Sequence, residues 1–109
     1  GEREVREAII KADLVEAIVA LPSQLFSNTP IPACIWILNK NKVQKGKTLF
    51  IDARQFGYMI DRKQRTFTDS DIHEIAKVFH NWRNKESFEN VAGKYFETTT
   101  RDIAKHEYI

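Results

Sequence analysis

A chain of 109 residues with 42% apolar and 29% charged side chains has the balance of one folded domain, or part of one, rather than a disordered or two-core protein. Seventeen basic against fifteen acidic residues leave a net charge of +2, which gives no electrostatic argument for nucleic acid as a partner but leaves room for a local basic patch. The single cysteine, Cys34, rules out a disulfide framework, and no apolar run approaches the roughly 20 residues that span a bilayer, so a soluble cytoplasmic chain with no membrane contact is expected.

Glu2 to Ala12 carries Val5, Ala8, Ile9 and Ala12 at the spacing of one helical face. Glu2, Glu4 and Glu7 suit its positive end, and Asp13 stops the pattern. Leu14 to Leu21 is apolar at nearly every position and rich in β-branched residues, which predicts a short strand buried on both faces. Pro22 ends it, and Ser23 is placed to cap a short helical turn through Leu25 and Phe26. Pro30 and Pro32 hold the chain extended into Ala33 to Leu38, which reads as a second central strand with Cys34 packed inside it. Asn39 to Gly46 is a lysine-rich turn, and Lys47 to Ala53 is a third strand. So short a link predicts that the second and third strands pair antiparallel, whereas the longer first link permits a parallel relation.

Arg54 to Thr68 is an irregular basic connection. Asp69 or Thr68 then opens the clearest helix, with Ile72, Ile75, Ala76, Phe79 and Trp82 along one face, and Thr68 with Asp71 approximates a capping box. Lys85 to Thr98 resists assignment, because Gly93 interrupts its anchors Phe88, Val91, Tyr95 and Phe96. Thr99 is placed to cap a last short helix through Lys105. The chain stops after Tyr108 and Ile109 and opens on Gly1; neither end has the character of a natural terminus, so a piece of a longer protein is expected.

The chemistry on offer is sparse. Glycines at 1, 46, 57 and 93 build no phosphate cradle. His73 and His80 stand about 10 Å apart along a helix, too far to share a metal, and with Lys77 they read as a solvated face. Asp52 at a strand end lacks the Glu-x-Lys partner of a two-metal nuclease and reads as a turn or cap residue. Phe26 differs: it stands alone among Ser23, Gln24, Ser27, Asn28 and Thr29 in a loop leaving a strand end. There an aromatic can stack on a planar ligand such as a nucleobase, although composition alone favours a loop aromatic tucked back onto the core. Arg54, Arg62, Lys63 and Arg65 are candidates for phosphate contacts, with a solvated loop as the plainer alternative.

VREAIIKADLVEAIVALPSQLFSNTPIPACIWILNKNK, then GKTLFIDAR and TDSDIHEIAKVF, together resemble the M (modification) subunit of type I restriction–modification systems. The resemblance covers about nine-tenths of the chain, and its most specific parts are LP-x-x-LF-x-x-T-x-IP and the apolar strand leading into LNKNK. It implies an α/β fold, the C-terminal portion of a class I S-adenosylmethionine-dependent methyltransferase. About three strands, including an antiparallel hairpin, would be flanked by helices. They would be the fifth, sixth and seventh of the family's sheet, the hairpin's return strand lying between the other two. Residues 1–68 would be the distal part of that sheet and residues 69–109 a C-terminal helical segment.

The resemblance also implies an intact protein that transfers a methyl group from S-adenosylmethionine to adenine N6 in DNA, beside specificity and restriction subunits. Asn28-Thr29-Pro30 is not the family's Asn-Pro-Pro-aromatic catalytic motif, and the Gly-rich cofactor motif is likewise absent. This chain by itself is therefore expected to hold no catalytic residue, cofactor or metal. The resemblance places Phe26, Ser27, Asn28 and Thr29 in the pocket for the flipped adenine, where a stacking face offsets part of the unstacking cost. An exposed sheet edge would make the isolated fragment prone to self-association. The alternative is a non-catalytic subunit-interaction module, suggested by Trp82, Phe88, Tyr95 and Phe96; a simple nucleic-acid-binding domain comes third.

Overall fold

The computed structural model describes residues 1–23, 33–61, 65–86, 88, 90–91 and 93–105. Helix α1 (Glu2–Lys11) leads to β1 (Val15–Ala20), β2 (Cys34–Leu38), β3 (Lys47–Asp52), a short ribbon of β4 (Tyr58–Met59) and β5 (Arg65–Thr66), helix α2 (Asp69–Arg83), β6 (Tyr95–Thr99) and α3 (Thr100–Lys105). The main sheet runs β2-β1-β3-β6. β1 pairs antiparallel with β2 and parallel with β3, and β6 adds antiparallel to β3.

Two expectations fail here. The second and third strands do not pair: the first lies between them, and the strand expected to return between its neighbours flanks β1 instead. The reason is local to residues 39–46, which cross the start of β1 rather than turning back beside β2. The Asn39 amide donates to the Leu14 carbonyl at 2.8 Å, and Lys42 Nζ reaches Asp13 Oδ1 at 2.6 Å and the Lys47 carbonyl at 2.7 Å. Thr48 Oγ1 then donates to the Val15 carbonyl at 3.0 Å and seats β3 against β1. The antiparallel pair of consecutive strands is thus β1 with β2, joined through the long link instead of the short one.

The second failure concerns burial. β1 is buried along its length as expected, but β2 is an edge strand, with Cys34, Ile35 and Leu38 exposed. Its continuous apolar run predicts cover on both sides; among the described residues it has a strand neighbour on one side alone.

Both faces of the sheet carry a core. On one, Ala17, Val19, Leu21, Leu49, Ile51 and Ala53 meet Trp82, with Ile75, Val78 and Phe79 of α2 packed against them. On the other, Val15 and Ile18 meet Ile10 of α1 and Ile103 of α3. Val15 and Ile18, three apart, share a face because a bulge between Val15 and Ala17 inserts Glu16 as an extra residue opposite β2. The buried Glu16 carboxylate accepts from Asn39 Nδ2 at 3.3 Å.

Helix α2 begins as its sequence predicts. Thr68 Oγ1 accepts from the Asp71 amide at 3.0 Å and Asp71 Oδ2 accepts from the Thr68 amide at 2.9 Å, so aspartate completes the capping box in place of glutamate. Of its expected anchors Ile75 and Phe79 pack on the sheet, while Ile72 is exposed. Trp82 is the largest fully buried side chain; its indole donates to Glu97 Oε2 at 2.8 Å and its carbonyl accepts from Gln44 Nε2 at 2.9 Å. A side chain of that size, fully buried, stabilises the fold by roughly 3 kcal/mol or more. His73, Lys77 and His80 lie on the helix's exposed side. Strand β6 was unassigned from the sequence, and Thr99 caps α3 by accepting from the Asp102 amide at 3.0 Å.

Candidate functional site at the loop end of the sheet

Because β1 and β3 are parallel and in register from Ala17 with Leu49 to Ala20 with Asp52, they finish at the same edge of the sheet. Two connections leave there: the link from β1 to β2, and the link from β3 into the β4–β5 ribbon. The first is pinned at its root. The Leu21 amide donates to the Ala33 carbonyl at 2.9 Å, and Leu21 and Pro22 are buried. The second is pinned beside it by the Ala53 amide on the Ala20 carbonyl at 2.8 Å, with Ala53 wholly buried. Phe26, Ser27, Asn28 and Thr29 belong in sequence to the first of these links and, like Arg62 and Lys63, lie outside the described residues.

A cavity of about 380 Å³ opens at this edge, bounded by Leu21, Ala33, Cys34, Phe50, Asp52 and Arg54. Phe96 closes one wall, its ring stacked on Phe50 with centroids 5.2 Å apart and planes 9° from parallel. That pair is invisible in the sequence, since it depends on β6 pairing with β3 in the register that sets Phe50 opposite Phe96. Cys34, expected in a core, lines the cavity with an exposed thiol.

The polar rim is an ion pair. Arg54 Nε donates to Asp52 Oδ1 at 2.9 Å and Nη2 to Oδ2 at 2.7 Å, while the Arg54 amide donates to Oδ1 at 3.0 Å. Asp52 is therefore the turn residue expected, and it fixes the plane of a guanidinium proposed for phosphate contact. The Arg54 hydrogen bonds hold the Asp52 carboxyl below the usual aspartate range against a smaller opposing effect of burial. Arg65 is placed differently from Arg54. Its Nη1 donates to the carbonyls of Phe56 at 3.1 Å and Gly57 at 3.4 Å, so part of this guanidinium braces the ribbon from within.

Among the described residues no group of three or more His, Cys, Asp or Glu side chains is placed to hold a metal ion, and no helix is long and apolar enough to cross a membrane. What this edge can do is present a rooted loop beside an apolar, aromatic-walled cavity with a charged rim.

Comparison with known proteins matches the N-6 DNA methylase family model over residues 1–109. The chain is 53% identical over 109 residues to the HindI type I restriction enzyme methylase subunit of Haemophilus influenzae, covering 100% of this chain and 25% of that protein. It is 37% identical over 112 residues to the MjaIX type I methylase subunit of Methanocaldococcus jannaschii, covering 99% of this chain and 20% of that one. In fold it is similar to the crystal structure of a type I restriction-modification methyltransferase subunit from Streptococcus thermophilus, with a TM-score of 0.82 at 24% identity, over 98% of this chain and 21% of that one. The chain thus spans a quarter or less of the relatives it matches.

Proposed function

The chain belongs to the N-6 DNA methylase family, and on that premise we propose that it forms the distal part of the methyltransferase domain of a type I modification subunit. The intact protein would move a methyl group from S-adenosylmethionine to adenine N6 in DNA, in company with specificity and restriction subunits. The observation that carries this reading is the shared edge of β1 and β3, which roots the Phe26 loop and the basic ribbon side by side. A base withdrawn from a duplex needs a stacking face and a grip on the flanking backbone within reach of one another.

The four glycines are isolated from one another in the sequence, and the position a side chain would take at Gly57 is filled by the chain's own Thr66 carbonyl. In this reading the donor is held upstream. Residues 1–68 carry both loops of the site, and residues 69–109 brace them through α2 and β6.

The exposed apolar edge of β2 is where the remainder of the sheet would attach, which accounts for a strand whose composition asks for cover it lacks here. The family's closing antiparallel pair corresponds best to β1 with β2. Of the four aromatics behind the interaction-module alternative, Trp82 is buried, Phe88 and Tyr95 pack on the same core, and Phe96 stacks on Phe50 while remaining 49% exposed.

The test is Phe26→Ala in the intact subunit assembled with its partners, read as methyl transfer to adenine in duplex DNA. Loss of one base-stacking face should lower the rate roughly ten- to hundredfold, and an unchanged rate would remove Phe26 from the pocket. The isolated chain should transfer no methyl group and should self-associate through the β2 edge. A chain that sediments as a monomer at high concentration would count against the open edge.

A further inference from the structure

Next to the cavity at the loop end lies a larger one that the proposed function does not use. It holds about 590 Å³ and shares Ile18 and Phe50 with its neighbour. Its lining comes from α1, β1, β2, β3 and α3, all elements of this chain, so its shape does not wait on the rest of the sheet as the outer edge of β2 does. A volume of that size with a mostly apolar lining and few polar groups is the form of a small-molecule site.

Strand register sets its floor. Trp36, Ile18 and Phe50 are direct partners across β2, β1 and β3, so the two aromatic side chains stand two strands apart, about 10 Å, with the smaller Ile18 between them. Phe96, on the next strand, stacks on Phe50 and fixes the plane of that wall. A planar ring midway between Trp36 and Phe50 would lie about 5 Å from each, within the spacing of aromatic pairs.

The remaining wall is polar. Glu2 and Arg6, four apart on one face of α1, both line the cavity. Arg6 Nε is buried and has no hydrogen-bond partner, which leaves a donor unsatisfied beside the aromatic walls. Glu2, one turn earlier, is an acceptor. One cation and one acid leave the lining neutral, so a ligand that brings a net charge would be desolvated without compensation.

We propose that this cavity binds a planar heteroaromatic molecule with an acceptor and a donor on one edge, as a lactam or a nucleobase has. The ring lies over Ile18 between Trp36 and Phe50, its acceptor takes the Arg6 Nε hydrogen, and its donor meets Glu2. The site goes beyond the methyltransferase reading and does not depend on it.

The experiment uses the full-length parent subunit and carbostyril, a bicyclic lactam, as probe, followed by ligand-detected NMR with and without saturating S-adenosylmethionine. Saturable binding is expected in both conditions. Arg6→Met keeps the bulk of the stem and removes the donor, and should weaken binding about tenfold. Trp36→Leu should weaken it about threefold or more by removing one stacking face. Naphthalene, which has the shape without the polar edge, should bind wild type and Arg6→Met alike. Arg6→Met should unfold at or above the wild-type temperature, because it removes a buried donor that has no partner. Displacement of carbostyril by a single-stranded oligonucleotide would assign the ring to a nucleic-acid base, and an oligonucleotide without effect would assign it to a free small molecule. No saturable binding would overturn the proposal, as would equal carbostyril affinity in wild type and either variant. Binding seen only without S-adenosylmethionine would also overturn it, by placing the probe in the cofactor pocket.

Discussion

The two ends of the sheet are built on opposite plans. Where β1 and β3 begin, polar groups are turned inward on one another. Asp13 receives Lys42 Nζ at 2.6 Å and the Gly46 amide at 2.8 Å, Lys42 is almost wholly buried, and Thr48, Asn39 and Glu16 close the same end. Where the strands finish, Asp52 and Arg54 pair at the surface, Cys34 is exposed, and an aromatic-walled cavity opens beside two loop roots. One end holds strand order; the other is left available. In parallel strands the loops that follow the strand ends are the ones free to carry a site, and this chain shows the cost of that freedom being met at the opposite end.

The contrast is sharpest at Asp13. Asp13→Asn keeps a side chain that tolerates the φ of 58° at this position and removes only the charge. It leaves the Lys42 ammonium buried without its carboxylate, which should cost about 3 kcal/mol of stability in urea unfolding followed by tryptophan fluorescence. Burial pushes the Asp13 carboxyl up, but the hydrogen bonds from Lys42, Gly46 and Thr100 and the charge of Lys42 outweigh it and hold the group below the ordinary aspartate range. A depressed carboxyl contributes stability that is fully present above the unfolded value of about 4 and is lost as pH falls through the folded value. The wild type should therefore lose stability below about pH 4 more steeply than Asp13→Asn. Equal acid limbs would show that this pair does not hold the locked end.

Gly57→Ala probes the open end. Its Cβ meets the Thr66 carbonyl at 2.5 Å in a backbone conformation that L side chains rarely adopt, so a loss of about 2 kcal/mol is expected. The loss should be confined to the ribbon, visible as faster amide exchange at Tyr58 and Thr66 with the β1–β3 amides unaffected. Exchange rising through the whole sheet would mean that the two ends are not independent. The smallest effect belongs to Asp52→Asn. Its partner Arg54 is solvated, so the unfolding midpoint should stay where it is while the Arg54 guanidinium loses its fixed plane. A midpoint shift comparable with that of Asp13→Asn would erase the distinction between the ends.

Some of this was readable from residue order. The α2 start at Thr68, with Asp71 closing the capping box, and the Thr99 cap on α3 depend on groups three residues apart and needed no tertiary information. The burial of β1 follows from its unbroken apolar run. The site was legible only as a place: a polar loop with one aromatic leaving a strand end, and a basic segment after another. Its walls were not, because Phe50 and Phe96 meet only through strand pairing across 46 residues of chain. Strand β6 was missed because Tyr95–Thr99 is short and half polar, with no periodicity to distinguish it from loop.

What the sequence determined by itself is helices α1 and α2, the first three strands, the caps at Thr68 and Thr99 and the family to which they belong, because those depend on local spacing and on residues read in order. What the tertiary structure decided is which strand lies beside which. A short link between two strands favours a hairpin by loop entropy alone. Here a buried ammonium on Asp13 and a threonine hydroxyl on the Val15 carbonyl hold that link across the start of β1 instead. Bonds between residues some 30 positions apart outweigh the local preference, and no reading of neighbours in sequence contains them.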